Sequence, residues 1–264
     1  MQYITIPPPA YLAAYVRAFW VLESDAPYTH RNYADGSAEM IFHYKGTFEE
    51  LTEKETVSQS NAMIHAQSCN YRRFTTNESF AIFGVYLYPF AIPLLCNMPA
   101  DELTNHMPDL VALFGNGGRI LEEQIMLATD TKQRIAIVSS FLEKRLLQKN
   151  ESENAIHFCI SNIIHSDGLA SVDKLANKCF LSVRQFERKF KEHAGFTPKF
   201  YTRLIRFQSA MKRYGSNFNS LTDIAYDCGY YDQSHFIHEF KAFSGYHPKT
   251  YFYGEAEGVE WRGA

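Results

Sequence analysis

Over the first hundred residues, apolar and polar side chains alternate with the two-residue period of a strand. Glu39-Met40-Ile41-Phe42-His43-Tyr44 shows this most clearly, bounded by Asp35-Gly36 and by Gly46. Residues 17–23 are aromatic and branched, and residues 81–88 repeat that texture, so both predict strands. After Pro89 the period lengthens. Residues 109–128 and 131–148 carry helical spacing, with Ile135, Val138, Leu142 and Leu146 on one face and Lys132, Lys144 and Arg145 off it. Residues 150–154 are polar and aperiodic, which predicts a linker. From residue 155 onward the chain reads as short helices. The first has an apolar stripe of Ile156, Ile160, Ile163 and Ile164, and Gly168 ends it.

Those helices contain an internal repeat. Leu175-Ala176 and Cys179 recur as Ile224-Ala225 and Cys228, at an offset of 49. Phe186, Phe190, Lys191, Gly195, Pro198-Lys199 and Tyr201 recur as Phe236, Phe240, Lys241, Gly245, Pro248-Lys249 and Tyr251, at an offset of 50. The extra residue falls in a turn, where insertions are tolerated. Each copy opens at a serine cap, Ser171 or Ser220, and buries its Leu-Ala or Ile-Ala pair. It then turns into a second helix capped by Ser182 or Asp232. Ser182 and Gln185 fit a capping box, and Gly229 suits a left-handed turn in the second copy. Two such helices on a short turn make a helix-turn-helix. Residues 198–214 predict one long helix between the copies, with proline in its first turn and Gly215 just beyond its end.

The second helix of each copy buries two phenylalanines one turn apart. Opposite Phe186 and Phe190 lie Arg184, Arg188 and Lys191, with Ser182 at the cap and Gln185 beside them. Opposite Phe236 and Phe240 lie Ser234, His238 and Lys241, with Gln233 and His235 beside them. Glu187 and Glu239 fall toward the flanks. Guanidinium and amide groups match the major-groove edges of guanine and adenine, and hydroxyl and ammonium groups reach phosphates. These ten residues are the candidate DNA-binding set, and the first unit is the better equipped to read bases.

Charge sharpens this picture. The whole chain has a net charge of −3. Residues 1–154 hold 12 Lys and Arg against 18 Asp and Glu, whereas residues 155–252 hold 13 against 8. A basic module follows an acidic one, and the short tail is acidic again. The five cysteines are dispersed without metal-finger or redox spacing, which fits free thiols in a reducing cytoplasm. The N-terminus lacks the basic and apolar regions of a signal peptide. Residues 79–100 are uncharged but interrupted by Pro89, Pro93 and Pro99, so they predict a strand and a short helix rather than a membrane span.

The second copy, Asp223-Ile-Ala-Tyr-Asp-Cys-Gly-Tyr-Tyr-Asp-Gln-Ser-His-Phe-Ile-His-Glu-Phe-Lys followed by Gly245-Tyr-His-Pro, resembles the signature of the AraC/XylS family of bacterial transcription regulators. The resemblance covers residues 155–252. It implies a seven-helix domain with two helix-turn-helix units on a linker helix, binding double-stranded promoter DNA, with RNA polymerase as a further candidate partner. His238 stands where the family usually has arginine, His247 where threonine is usual, and Phe252 where arginine is common. All three departures fall in the second unit.

Residues 8–23, with Tyr33-Ala-Asp-Gly36 and Met40-Ile-Phe-His43, are similar to a domain found in some of these regulators. That similarity implies a small cupin-like β-barrel followed by helices, with a sensing or dimerisation role and an unidentified small-molecule effector. The expected organisation is an α+β domain at 1–149, a linker at 150–154, an all-α DNA-binding domain at 155–252 and a tail at 253–264.

A competing reading makes the barrel a metal-dependent enzyme with an accessory helical module. Metal-binding barrels carry a His-x-His pair and a following Glu, whereas His30, His43 and His65 stand apart in sequence and read as core or surface histidines. No cofactor or metal is expected. Gly115-Asn-Gly-Gly118 lacks the Lys-Ser/Thr of a phosphate loop and reads as a plain turn. Trp20, Phe42, Tyr44, Tyr86 and Tyr88 line an aromatic pocket or belong to the core, and aromatics at strand spacing are more often core.

Overall fold

The computed structural model describes residues 1–146, 154–215 and 220–257. Residues 150–153 of the expected linker and residues 258–264 of the tail lie outside the described residues. The first part builds nine strands: β1 (Gln2–Ile6), β2 (Val16–Ser24), β3 (Tyr28–Asn32), β4 (Ala38–Lys45), β5 (Glu49–Leu51), β6 (Thr56–Ser58), β7 (Ala62–His65), β8 (Arg72–Thr76) and β9 (Phe80–Leu87). They pair antiparallel in two sheets, of order β1-β2-β9-β4-β7 and β3-β8-β5-β6.

The larger sheet is covered on both faces, so its strands carry apolar residues on both sides of the pleat. Phe19 and Val21 of β2 join Phe42 and Phe83 in an outer core under the helices. Trp20 and Leu22 turn the other way and meet Ile41, Ile82, Phe48 and Phe74 between the sheets. A side chain at Gly84 of β9 would strike the Trp20 indole, so the close approach there requires glycine.

Five helices follow: α1 (Ala91–Cys96), α2 (Ala100–Leu103), α3 (Leu110–Phe114), α4 (Asn116–Leu127) and α5 (Thr131–Leu146). The helix expected across 109–128 is in fact two. Asp109 caps α3 by accepting from the Ala112 N–H at 2.7 Å, and Gly115, at φ 58°, breaks the run. Asn116, Gly117 and Gly118 then form the first turn of α4 rather than a plain turn, and Gly118 packs on the Leu110 carbonyl. On α5, Val138, Leu142 and Leu146 are buried, as their spacing requires.

Among the described residues the C-terminal part has seven helices: α6 (Asn154–His165), α7 (Val172–Lys178), α8 (Val183–Ala194), α9 (Pro198–Met211), α10 (Leu221–Asp227), α11 (Gln233–Ser244) and α12 (Pro248–Phe252). The fold is therefore α+β followed by all-α. The two parts share one continuous apolar core, which runs from Phe42 and Phe83 to Phe240 and Tyr251. Polar contacts reinforce the junction. The Ala34 N–H donates to the Phe243 carbonyl at 3.0 Å, Gln208 donates to Asp35 at 2.6 Å, and the Arg31 guanidinium lies 3.9 Å from the Tyr246 ring centre. In the tail, Glu257 pairs with Arg73 of β8 at 2.5 Å.

Candidate nucleic-acid interface

Each helix-turn-helix is built from local signals. Ser171 accepts from the Lys174 N–H at 3.4 Å and starts α7, which buries Leu175 and Ala176. Ser220 does the same for α10 through the Asp223 N–H at 3.2 Å, with Ile224 and Ala225 buried. Both turns pass through left-handed backbone at the corresponding position. Gly229 takes φ 73° in the second unit, and Phe180 takes φ 53° in the first. A phenylalanine is unusual there, because its Cβ crowds the backbone. Its ring is 97% exposed, so packing does not hold it in place.

The second helices open as their sequences require. Ser182 accepts from the Gln185 N–H at 3.4 Å, while the Gln185 side chain accepts from the Ser182 N–H at 3.1 Å, completing a capping box. Asp232 caps α11 by accepting from the His235 N–H at 2.8 Å. Phe186 and Phe190, like Phe236 and Phe240, are fully buried.

On α8, Ser182, Arg184, Gln185, Arg188 and Lys191 are all exposed. Arg188 bonds Glu192 one turn on at 3.1 Å, and Lys191 bonds Asp101 of α2 at 2.9 Å. On α11, Gln233, Ser234, His238 and Lys241 are exposed, and Gln233 accepts from the Thr222 hydroxyl at 3.1 Å. His235 is turned inward: it is half-buried against Tyr230, and its Nε2 lies 3.3 Å from Glu239. Glu239 does not fall on a flank. It is 1% exposed and accepts from the Arg203 guanidinium of α9, so it ties α11 to the linker helix and leaves the outer face without that carboxylate.

A cavity of about 530 Å³ lies between the barrel and α9, with Arg17, Asp35 and Glu39 on one side and Ile205, Gln208 and Met211 on the other. It adjoins a smaller cavity of about 90 Å³ between the sheets. The two share Tyr3, His30, Asn32, Glu39, His65 and Tyr86 in their walls. His30, His43 and His65, apart in sequence, all line the inner cavity. Burial holds each imidazole down at about 4, with neighbouring His43 adding to the effect on His30, and Arg72 and His30 adding to that on His65. Burial, with Asp35 nearby, pushes the Glu39 carboxyl up to about 8.

Of the aromatic candidates, Trp20 and Tyr86 line the inner cavity. Phe42 belongs to the outer core, Tyr44 bonds Glu23 and stacks under Arg134, and Tyr88 stacks on Phe90. Among the described residues no group of three His, Cys, Asp or Glu side chains could hold a metal ion, and no helix is long and apolar enough to cross a membrane. All five cysteines are free.

Two capped helix pairs joined by one helix, carried beside a two-sheet domain, define a paired helix-turn-helix protein. The helix-turn-helix domain family matches residues 175–253, and a domain of unknown function (DUF6597) matches residues 4–109. The transcriptional activator RhaS of Pectobacterium carotovorum is 39% identical over 71 residues, covering 26% of this chain and 25% of that protein. RhaS of Escherichia coli O157:H7 is 31% identical over 111 residues, covering 41% and 40%. The chain thus spans about a quarter of the length of the first of these relatives. Among solved structures, ToxT from Vibrio cholerae aligns over 96% of this chain and 98% of its own, at 14% identity and a TM-score of 0.48. Over its helix-turn-helix domain the chain is thus similar to the RhaS transcriptional activators.

Proposed function

We propose that this protein is a cytoplasmic transcription regulator whose C-terminal domain, from residue 155 to 252, binds a specific site in double-stranded promoter DNA. The observation that carries this reading is the pair of capped helices, α8 and α11, whose outer faces expose Arg184, Arg188, Lys191, His238 and Lys241 in a domain of net positive charge. Each helix enters a major groove, and α9 sets their separation. Arg188 and Arg184 are the base readers of the first unit. Ser182, Lys191, Ser234 and Lys241 take phosphates. The Gln185 side chain is shared with the capping box, so its reading role uses the amide nitrogen. Gln233 and His238 serve the second unit, and His235 supports it from beneath. The N-terminal domain, residues 1–149, senses a signal through the cavity it forms with α9, mediates self-association, or does both.

The test is a mobility-shift titration of the full chain on its selected DNA. Arg188→Ala is expected to weaken specific binding by about 1–3 kcal/mol with the fold intact. For the two lysines assigned to phosphates, affinity is expected to fall about tenfold from ~50 to ~200 mM salt. An Arg188→Ala protein that binds as tightly as wild type refutes the assignment of the reading face. A flat salt response refutes phosphate contact.

A further inference from the structure

The inner cavity has walls that choose among ligands. Trp20, Tyr28, Phe48 and Phe74 line it with aromatic rings. Glu39 of β4 stands at the neck, where the inner cavity meets the outer one, and no other Asp, Glu, Lys or Arg among the described residues lines the inner end. Strand register places Glu39 opposite His65 of β7 on one side and Tyr86 of β9 on the other. Among the described residues no Lys or Arg lies within ion-pair distance of it. Arg17, whose field reaches Glu39, directs its guanidinium to the Ser37 hydroxyl at 2.6 Å.

Aromatic faces carry negative potential, and so does a carboxylate. The Nδ1 atoms of His30 and His43 are buried in the same wall without a hydrogen-bond partner among the described residues. In a neutral imidazole the unprotonated nitrogen is an acceptor. Ring faces and a carboxyl group without a cation favour a positively charged guest.

We propose that this cavity binds a small organic cation of the arylalkylamine class, with the aromatic ring at the Trp20 end and the ammonium group on Glu39. The proposal rests on the reading of the N-terminal domain as a sensor. Between the sheets the ring replaces no ion and displaces little structure, because the space is already formed. At the neck the ammonium supplies the counter-charge that lets Glu39 ionise. The outer cavity leaves room for substituents beyond the amine, against Gln208 and Met211 of α9.

A proton balance follows. Asp35 raises the Glu39 proton affinity while Arg17 and Tyr86 lower it, and His65 and His30 are uncharged near neutrality. The empty site therefore holds its carboxyl protonated up to about 8. An ammonium guest ionises Glu39, and one proton passes to the buffer. Affinity for the amine consequently rises with pH from about 6 to about 8.

The experiment is calorimetry on the full chain with phenethylamine, phenethyl alcohol and phenylacetate, in two buffers of different protonation enthalpy. Phenethylamine is expected to bind about tenfold more tightly than the alcohol, with release of a proton near neutral pH, while phenylacetate does not bind. Glu39→Gln is expected to bring the amine down to the affinity of the alcohol. Should that variant unfold, proton release by wild type still decides the matter. Equal affinity for amine and alcohol, absence of proton release, or binding of none of the three overturns the proposal.

The same protein is titrated with its selected DNA, with and without amine. Normal DNA binding beside a failed amine titration overturns the ligand assignment and leaves the regulator standing. Amine binding that leaves DNA affinity unchanged keeps the site and overturns the sensing role.

Discussion

Glu39 and the three barrel histidines give the fold a signed pH dependence. His30, His43 and His65 each fall from an ordinary 6.5 to about 4, chiefly through burial. The unfolded chain takes up protons that the folded barrel refuses, so their contribution is complete above about 6.5 and is lost as pH falls toward about 4. Glu39 works in the opposite sense, rising from 4.5 to about 8. Its contribution is complete below about 4.5 and is lost as pH rises toward about 8. Three histidines against one carboxyl make the acid side steeper, and stability is expected to peak near pH ~6.5. Urea midpoints across that range check this, and Glu39→Gln should flatten the decline on the alkaline side. Wild-type stability that still climbs between about 6.5 and about 8 contradicts this assignment of groups.

At the scale of elements, α8 meets the N-terminal domain through Lys191 of its outer face and through the turn that follows it. Lys191 pairs with Asp101 of α2, and the Thr104 hydroxyl donates to the Gly195 carbonyl at 3.1 Å just past the end of α8. The Lys191–Asp101 pair is partly exposed, and such pairs are worth about 0–1 kcal/mol. A phosphate can therefore take Lys191 from Asp101 at small cost. Asp101→Asn is expected to raise DNA affinity about two- to fivefold at low salt, with the difference vanishing at high salt. An unchanged affinity at low salt places Lys191 away from the backbone.

The same helices show what the chain makes legible. Ser171, Ser182, Ser220 and Asp232 cap helices through partners three residues away, so local spacing reveals them. The helix-turn-helix pair is readable for that reason. Glu239 is buried because Arg203 reaches it from another helix, 36 residues earlier, which no period along α11 records. The three histidines meet only through strand register and sheet packing. His65, for example, lies opposite Glu39 because β7 pairs with β4. Phe180 occupies a left-handed position that sequence rules reserve for glycine, so the first turn carries no visible marker.

For the whole molecule, the net charge of −3 averages an acidic domain and a basic one, docked through a shared core. Repulsion from phosphates is expected to keep the acidic part off DNA and to limit non-specific binding. The cavity faces the barrel on one side and, on the other, α9, the helix that joins the two helix-turn-helix units. Selection of bound duplexes from a random pool, followed by footprinting of the enriched site, tests the central claim most directly. The expected result is one enriched sequence with two protected blocks about one duplex turn, ~34 Å, apart, for a single chain with two reading helices. No sequence enrichment, or one protected block served by one unit alone, contradicts it.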